Sequence, residues 1–272
     1  CHLRKYLEEN MIKLIASDVD GTLLPEGTAD LNPELYDVIL KLKEKGIVFA
    51  AASGRQANSV KTVFAPVEQD MYFITNNGGY VTYRDEVLAC RAFDRKIIEE
   101  ILAYVRGLEN TFYLVTSPNG DYTDCQDKEM LEWLREGYRI QIDQVRDVME
   151  KADCLVKISA FLKDKDAAKE AVPAKKLFAG KAMVTAAGDH WVDFTAPGSE
   201  KGNALKELQE RLHVTREETM AFGDNNNDIS MLKNAGESYE VSEAREEVKA
   251  VCRHVLQDTN KNSVLRVLKT LL

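Results

Sequence analysis

The chain reads as an α/β protein built on a doubly wound parallel sheet, with an α+β segment inserted in its middle. Three observations carry that reading. Short apolar runs alternate with amphipathic stretches across residues 13–75, and the same alternation returns in the last third of the chain. Between them the pattern changes to paired strands.

Taken in order, residues 13–17 are apolar and bounded by Asp and Gly, as a buried parallel strand would be. Asn32-Pro33-Glu34 then supplies an N-cap, a proline at the first helical position and an acidic first turn, ahead of apolar Leu35, Val38, Ile39 and Leu42. Gly46 ends that helix and 47–52 makes a second strand. A helix over 57–64 stops at Pro66, and 71–75 gives a third strand leading into Asn76-Asn77-Gly78-Gly79. From about Tyr80 the spacing predicts a hairpin (80–83 with 86–90) around Arg84-Asp85, then a helix over 94–106. Strands follow at 112–116 and 155–161, with a helical stretch over 164–178 interrupted by Pro173. The pair 183–186 and 190–195, joined at Gly188-Asp189, leads back to a helix from Lys201 to Leu212, a strand over 219–222 and a helix over 228–235. The expected division is a core of 11–80 and 188–272, an inserted segment of 81–187, and an upstream or added segment of 1–10 ahead of Met11.

Composition narrows the function. With 272 residues, 44% of them hydrophobic, the chain can bury a core large enough for two domains. A formal charge of -9, with no block of Lys and Arg, argues against nucleic acid as the main partner. Apolar runs are too short for a membrane span and no signal-peptide segment stands out, so a cytoplasmic protein without a membrane or an obligate protein partner is expected. Five widely spaced cysteines without a Cys-x-x-Cys pair argue against a disulfide scaffold and against zinc, leaving plain thiols. Four histidines offer little material for His-centred chemistry, so carboxylates must carry any catalysis.

Asp18-Val19-Asp20-Gly21-Thr22 places two carboxylates at the carboxyl end of the first strand, where open α/β sheets bind ligands. Gly21 lets the chain turn and bring both towards one pocket. A cation between them or a held proton would relieve their repulsion. An ordinary strand-to-loop turn uses the same residues. Ser53-Gly54-Arg55 can hold phosphate oxygens or simply cap a helix. Lys201 at a helix start opposes the helix dipole, which an anion nearby would explain and a solvated surface position would also allow. Gly223-Asp224-Asn225-Asn226-Asn227-Asp228 offers carboxylates among amides, suited to a hard cation such as Mg²⁺, and Asp228 also suits a helix cap.

In this order, Asp18-x-Asp20-Gly21-Thr22, Ser53, Lys201 and Gly223-Asp224 through Asn227-Asp228 resemble the four motifs of the haloacid dehalogenase superfamily. The inserted α+β segment makes the chain similar to the Cof-type sugar-phosphate phosphatases of that superfamily, and the resemblance runs from Met11 to the end. It implies a Rossmannoid core with a cap domain, and a Mg²⁺-dependent phosphatase acting on a small phosphorylated metabolite. Asp18 would be the nucleophile and Asp20 the general acid and base. Asp18, the Asp20 carbonyl and Asp224 would hold the metal, and Lys201 would neutralise the transferring phosphoryl. Thr22, Ser53, Gly54 and Asn227 would contact substrate, with Asp228 orienting Lys201 or metal-bound water. The cap would read the leaving group, with 117–122 and the Arg84-Asp85 turn as candidates. The stretch from Glu237 to Ala244 departs from the glycine-rich run of many relatives. Phosphomannomutase-like transfer and non-catalytic binding of a phosphometabolite are the alternatives.

Overall fold

The computed structural model describes residues 11–24, 31–118, 120–138, 141–163, 165–187, 189–241, 246–256 and 262–272. The expected upstream segment 1–10 lies outside them. The chain divides into two compact units, Cys1–Ala89 with Glu200–Leu272 and Cys90–Ser199.

The chain opens with β1 (Leu14–Asp18), buried throughout, then α1 (Glu34–Glu44), β2 (Val48–Ala52), α2 (Ala57–Val63) and β3 (Tyr72–Thr75). The Asn32 side chain accepts the Glu34 N–H at 3.0 Å, so the expected cap is present, and α1 buries Leu35, Val38, Ile39 and Leu42 as its spacing requires. The hairpin β4 (Tyr80–Tyr83) and β5 (Glu86–Cys90) follows. Then come α3 (Arg95–Arg106), β6 (Thr111–Ser117), β7 (Gly120–Thr123), α4 (Lys128–Tyr138), β8 (Ile142–Gln144), β9 (Lys157–Leu162), α5 (Ala167–Leu177), β10 (Met183–Ala187) and β11 (Trp191–Thr195). The chain returns through α6 (Lys201–Leu212), β12 (Thr219–Gly223), α7 (Ile229–Lys233), β13 (Glu237–Val241), α8 (Glu246–Lys249), β14 (His254–Leu256) and α9 (Ser263–Lys269).

In the first unit the sheet order is β14-β13-β12-β1-β2-β3-β4-β5, parallel from β14 to β3. β1 lies between β2 and β12, with Ala16 beside both Ala50 and Ala221. The winding reverses there, which opens a crevice at the carboxyl ends of β1 and β12. Alternate residues feed opposite layers. Ile15, Phe49, Phe73 and Phe222 pack with Leu35, Val38 and Leu42 of α1 on one face. Leu14, Ala16, Ala50, Ile74 and Ala221 pack with Leu205 and Leu208 of α6 on the other. Helices on both faces make the unit doubly wound.

In the second unit the order is β10-β11-β9-β6-β7-β8, antiparallel except for β7 with β8. Tyr113 and Val115 pack against α3 and α5, while Phe112 and Leu114 pack against Met130, Leu131 and Leu134 of α4.

Several expectations need correction. The hairpin over 80–90 extends the first sheet beyond β3, and 183–195 belongs to the second sheet, so the inserted unit runs from Cys90 to Ser199 instead of 81–187. Hairpin spacing gives the pairing within each pair of strands and is silent on which sheet they join. The helix α5 continues through Pro173, with Asp166 capping it by accepting from the N–H groups of Ala168 and Lys169. Cys90 and Cys154 adjoin as a disulfide, which their wide spacing conceals, while Cys125 and Cys252 are free thiols.

Asp121 on β7 is buried and accepts the Thr116 hydroxyl at 2.5 Å; burial pushes its carboxyl up to about 6, against the opposing charge of Lys157. An unfolded Asp titrates near ~4, so between about pH 4 and 6 the folded chain holds a proton the unfolded chain has lost. That contribution to stability is complete below the unfolded value and is lost as the pH rises through the folded one. Urea denaturation from pH 4 to 7 should show the parent losing up to about 3 kcal/mol that Asp121→Asn retains. Equal slopes in the two proteins would show that Asp121 folds ionised.

Candidate active site

The site is assembled from segment ends of the first unit. Asp18 closes β1, Lys201 opens α6, and Asp228 ends the 3-10 turn Asn226–Asp228 after β12. The side-chain alternation that sends Ala16 to the α6 face sends Asp18 the same way. Lys201 is fully buried, and its Nζ donates to Asp18 Oδ1 at 2.5 Å and to Asp228 Oδ1 at 2.6 Å. The second oxygen of Asp228 accepts the N–H groups of Asp224 at 3.1 Å and Asn225 at 3.0 Å. One carboxylate therefore both caps the turn and orients the lysine.

Asp224 is tied in from the first motif, since Thr22 Oγ1 donates to its Oδ1 at 3.0 Å. Gly21 makes this approach possible. Its φ is +82°, and a Cβ there would lie 2.4 Å from Asp224 Oδ2. Asp18, Asp224 and Asp228 each present a carboxylate oxygen within 4.8 Å of the others. With Lys201 charged, three carboxylates against one ammonium leave two negative charges unbalanced.

That imbalance sets the electrostatics. Burial, then the neighbouring Asp228, push Asp18 well above the usual carboxylate range, against the pull of Lys201. Burial and Asp228 also raise Asp224. Burial would lower Lys201, but Asp18 and Asp228 outweigh it and hold the ammonium charged. Asp18 Oδ2 is buried with no hydrogen-bond partner among the described residues. An orphaned carboxylate oxygen among two further carboxylates fits a hard divalent cation, and the all-oxygen donor set excludes preference for a soft metal.

The remaining expected residues gather beside this network. The Ser53 N–H donates to Ile74 O at 2.8 Å and its Oγ accepts the Arg55 N–H at 3.0 Å. The turn after β3 clamps this loop, with Asn76 N–H donating to Arg55 O at 2.9 Å and Asn77 N–H to Ser53 O at 3.1 Å. Asn76 and Asn77 have φ of +50° and +54°, two adjacent left-handed residues of the kind concentrated at functional sites. Asn227 Nδ2 donates to Asn77 Oδ1 at 2.9 Å, and a Cβ on Gly54 would lie 3.1 Å from the same oxygen. Ser53, Gly54 and Asn227 thus meet around Asn77.

Asp20 is engaged elsewhere. Arg55 grips its carboxylate in a bidentate fork, from Nε to Oδ2 at 2.9 Å and from Nη2 to Oδ1. The sequence motifs give neither Arg55 nor Asn77 a role. Their signal was position alone, directly after a strand-end Ser-Gly and before a Gly-Gly pair. In the stretch that departs from the expected glycine-rich run, Glu240 is fully buried, neither carboxylate oxygen has a hydrogen-bond partner among the described residues, and burial raises it.

A doubly wound core carrying strand-end carboxylates and a buried lysine defines a hydrolase class, and the chain belongs to the haloacid dehalogenase-like hydrolases, which it matches over residues 15–268. It is an enzyme of the phosphatase type found in that family. Among its relatives, the 5-amino-6-(5-phospho-D-ribitylamino)uracil phosphatase YbjI of Escherichia coli K12 is 26% identical, with 96% of each chain covered. HMP-PP phosphatase of Escherichia coli O6:H1 is 24% identical over 90% of this chain and 89% of its own. A crystal structure from Eubacterium rectale superposes with a TM-score of 0.90 at 36% identity, covering 97% of this chain and 100% of that one. Thermotoga maritima TM0651, at 22% identity and TM-score 0.84 over 96% and 97% of the two chains, shares the fold. Among the described residues no helix is long and apolar enough to cross a membrane.

Removing the lysine tests the network directly. Lys201→Met should cost about 3–5 kcal/mol in urea denaturation, because Asp18 and Asp228 are left buried without their counter-charge. A loss below about 1 kcal/mol would mean that the carboxylates do not depend on Lys201 for their burial.

Proposed function

We propose that the protein is a Mg²⁺-dependent phosphatase of small phosphomonoesters, acting through an aspartyl-phosphate on Asp18. The observation that carries this reading is the buried Asp18–Lys201–Asp228 network, with Asp18 Oδ2 unpartnered beside Asp224. Lys201 fixes the Asp18 rotamer through Oδ1 and leaves the second oxygen, buried beside Asp224, free of a hydrogen bond among the described residues. Magnesium held by the carboxylates of Asp18 and Asp224 and the Asp20 carbonyl would supply the positive charge that lets a phosphoryl group approach.

In the first half-reaction a carboxylate oxygen of Asp18 attacks phosphorus while the ester P–O bond breaks, and Asp20 gives its proton to the leaving oxygen. In the second, Asp20 takes a proton from water as that water attacks phosphorus, and Asp18 leaves with the electron pair of its P–O bond. Inorganic phosphate is released. Lys201 offsets charge on Asp18 throughout, Thr22 holds Asp224, and Ser53 with the Gly54 N–H and Asn227 receive phosphoryl or substrate oxygens. The Arg55 fork must release Asp20 for its proton work, so Arg55 is a positioning residue that exchanges Asp20 for the incoming anion. Selection of the leaving group is assigned to the second unit. Sugar phosphates and related metabolites form the substrate class, in keeping with relatives named for small phosphorylated compounds.

Phosphate release from a panel of sugar and cofactor phosphates should require Mg²⁺ and stop with a chelator. Asp18→Asn should lose activity on the order of a thousandfold or more, and acid-quenched parent enzyme should carry a phosphoryl mass on the Asp18 peptide. Parent-rate turnover by Asp18→Asn would sink the assignment. Arg55→Met should lower kcat/KM by about ten- to a hundredfold, with Arg55→Lys restoring only part of it because a point charge cannot replace the bidentate fork.

A further inference from the structure

Two cysteines of the second unit form a pair that the hydrolytic chemistry does not use. Cys90 ends β5 and is the first residue of that unit, and Cys154 ends the 3-10 turn Val148–Cys154, 64 positions further on. Their sulfurs adjoin as a disulfide. The surrounding backbone enforces the meeting. Phe93 N–H donates to Leu155 O at 2.9 Å, and the buried side chains of Phe93, Val148 and Leu155 share one core cluster. Cys90 and Cys154 therefore flank a fixed tie between two segments.

Both are partly exposed, as a small oxidant requires. The other two described cysteines are also partly exposed, and they differ in the state of the thiol. Burial raises the Cys125 thiol and pushes Cys252 up to about 12, which keeps both in the unreactive thiol form. Neither has a disulfide partner. Among the described cysteines, Cys90 and Cys154 thus have each other's sulfur as a partner, while Cys125 and Cys252 are held as thiols without one.

We propose that Cys90 and Cys154 are a reversible oxidation site, taking hydrogen peroxide as the oxidant and a thiol as the reductant. One thiolate attacks the peroxide O–O bond, which breaks to give a sulfenic acid on that sulfur and, after protonation, one water. The second sulfur then displaces the sulfenic oxygen, which leaves as a second water with the proton of the second thiol. Each sulfur gives up one electron to the new S–S bond, and peroxide is reduced by two. Two equivalents of a small thiol reverse the step by exchange.

The physical consequence is local. In the reduced chain the Phe93 to Leu155 hydrogen bond ties the start of the second unit to the end of the 3-10 turn. Oxidation adds a covalent tie at Cys90, where the chain passes from the first unit into the second. Residues 91–93 become enclosed between two fixed points. The bond also closes a loop of 64 positions, long enough for a substantial loss of unfolded-state entropy.

The test treats the full-length, reduced protein with stoichiometric hydrogen peroxide, blocks free thiols under denaturing conditions and maps peptides without reduction. The expected result is a crosslinked peptide joining Cys90 to Cys154, lost on dithiothreitol treatment, with Cys125 and Cys252 alkylated throughout. Amides of 91–93 should exchange more slowly in the oxidised form, and its melting temperature should rise by roughly 5 °C or more. Cys90→Ser and Cys154→Ser should each lack that rise while melting like the reduced parent. Alkylation of both Cys90 and Cys154 after peroxide, sulfinic acid on either in place of the crosslink, or bridges to other cysteines would overturn the proposal. The parent peptide map decides the matter even if a variant folds poorly.

Discussion

The fully buried ammonium of Lys201, held between Asp18 and Asp228, is the constraint around which the first unit is organised. Burying a lone charge is costly, and it becomes tolerable only with close counter-charges and satisfied hydrogen bonds. Here those counter-charges come from the end of β1 and the turn after β12, so three distant segments must converge to a few tenths of an ångström. Glycines make the convergence possible. A Cβ on Gly223 would lie 2.6 Å from the Asp228 Cβ, and one on Gly78 would lie 2.3 Å from Glu200 O beside the start of α6.

The same network is left deliberately short of positive charge. Burial, and then the neighbouring Asp228, raise Asp18 and Asp224 against the pull of a single lysine, and among the described residues Asp18 Oδ2 has no partner. On the proposed function, a hard cation would offset this imbalance and let a phosphoryl group approach the carboxylates. Arg55 holds the neighbouring Asp20 apart from this cluster, so the two carboxylates of the first motif have different partners although one residue separates them. Environment, more than sequence spacing, sets their partners.

The second unit follows a different logic. Its antiparallel sheet carries apolar layers on both faces, interrupted by polar pairs such as Thr116 with Asp121 and Ser159 with Asp193. Such bonded polar groups cost little when buried, although Asp121 still retains its proton to about pH 6. The unit begins at a cysteine joined to its own interior, which makes its boundary chemically distinct from the return at Glu200.

Contiguous residues specify the alternating core, the caps of α1, the α+β insertion and the residues of the strand-end motifs. These depend on local periodicity, turn chemistry and fixed motif spacing, all carried by contiguous residues. Asp18, Lys201, Asp224 and Asp228 were legible as a set, and the fold brings them into one network. The late strands β13 and β14 were not legible, because Glu237, Ser238 and Glu240 break the apolar pattern of a buried parallel strand. Folding in three dimensions sets which sheet each hairpin joins, that Arg55 holds Asp20, that Asn77 gathers Ser53, Gly54 and Asn227, and that Cys90 meets Cys154. Each of these is a contact between segments remote in the chain, and its energy depends on distance and burial that no local pattern encodes.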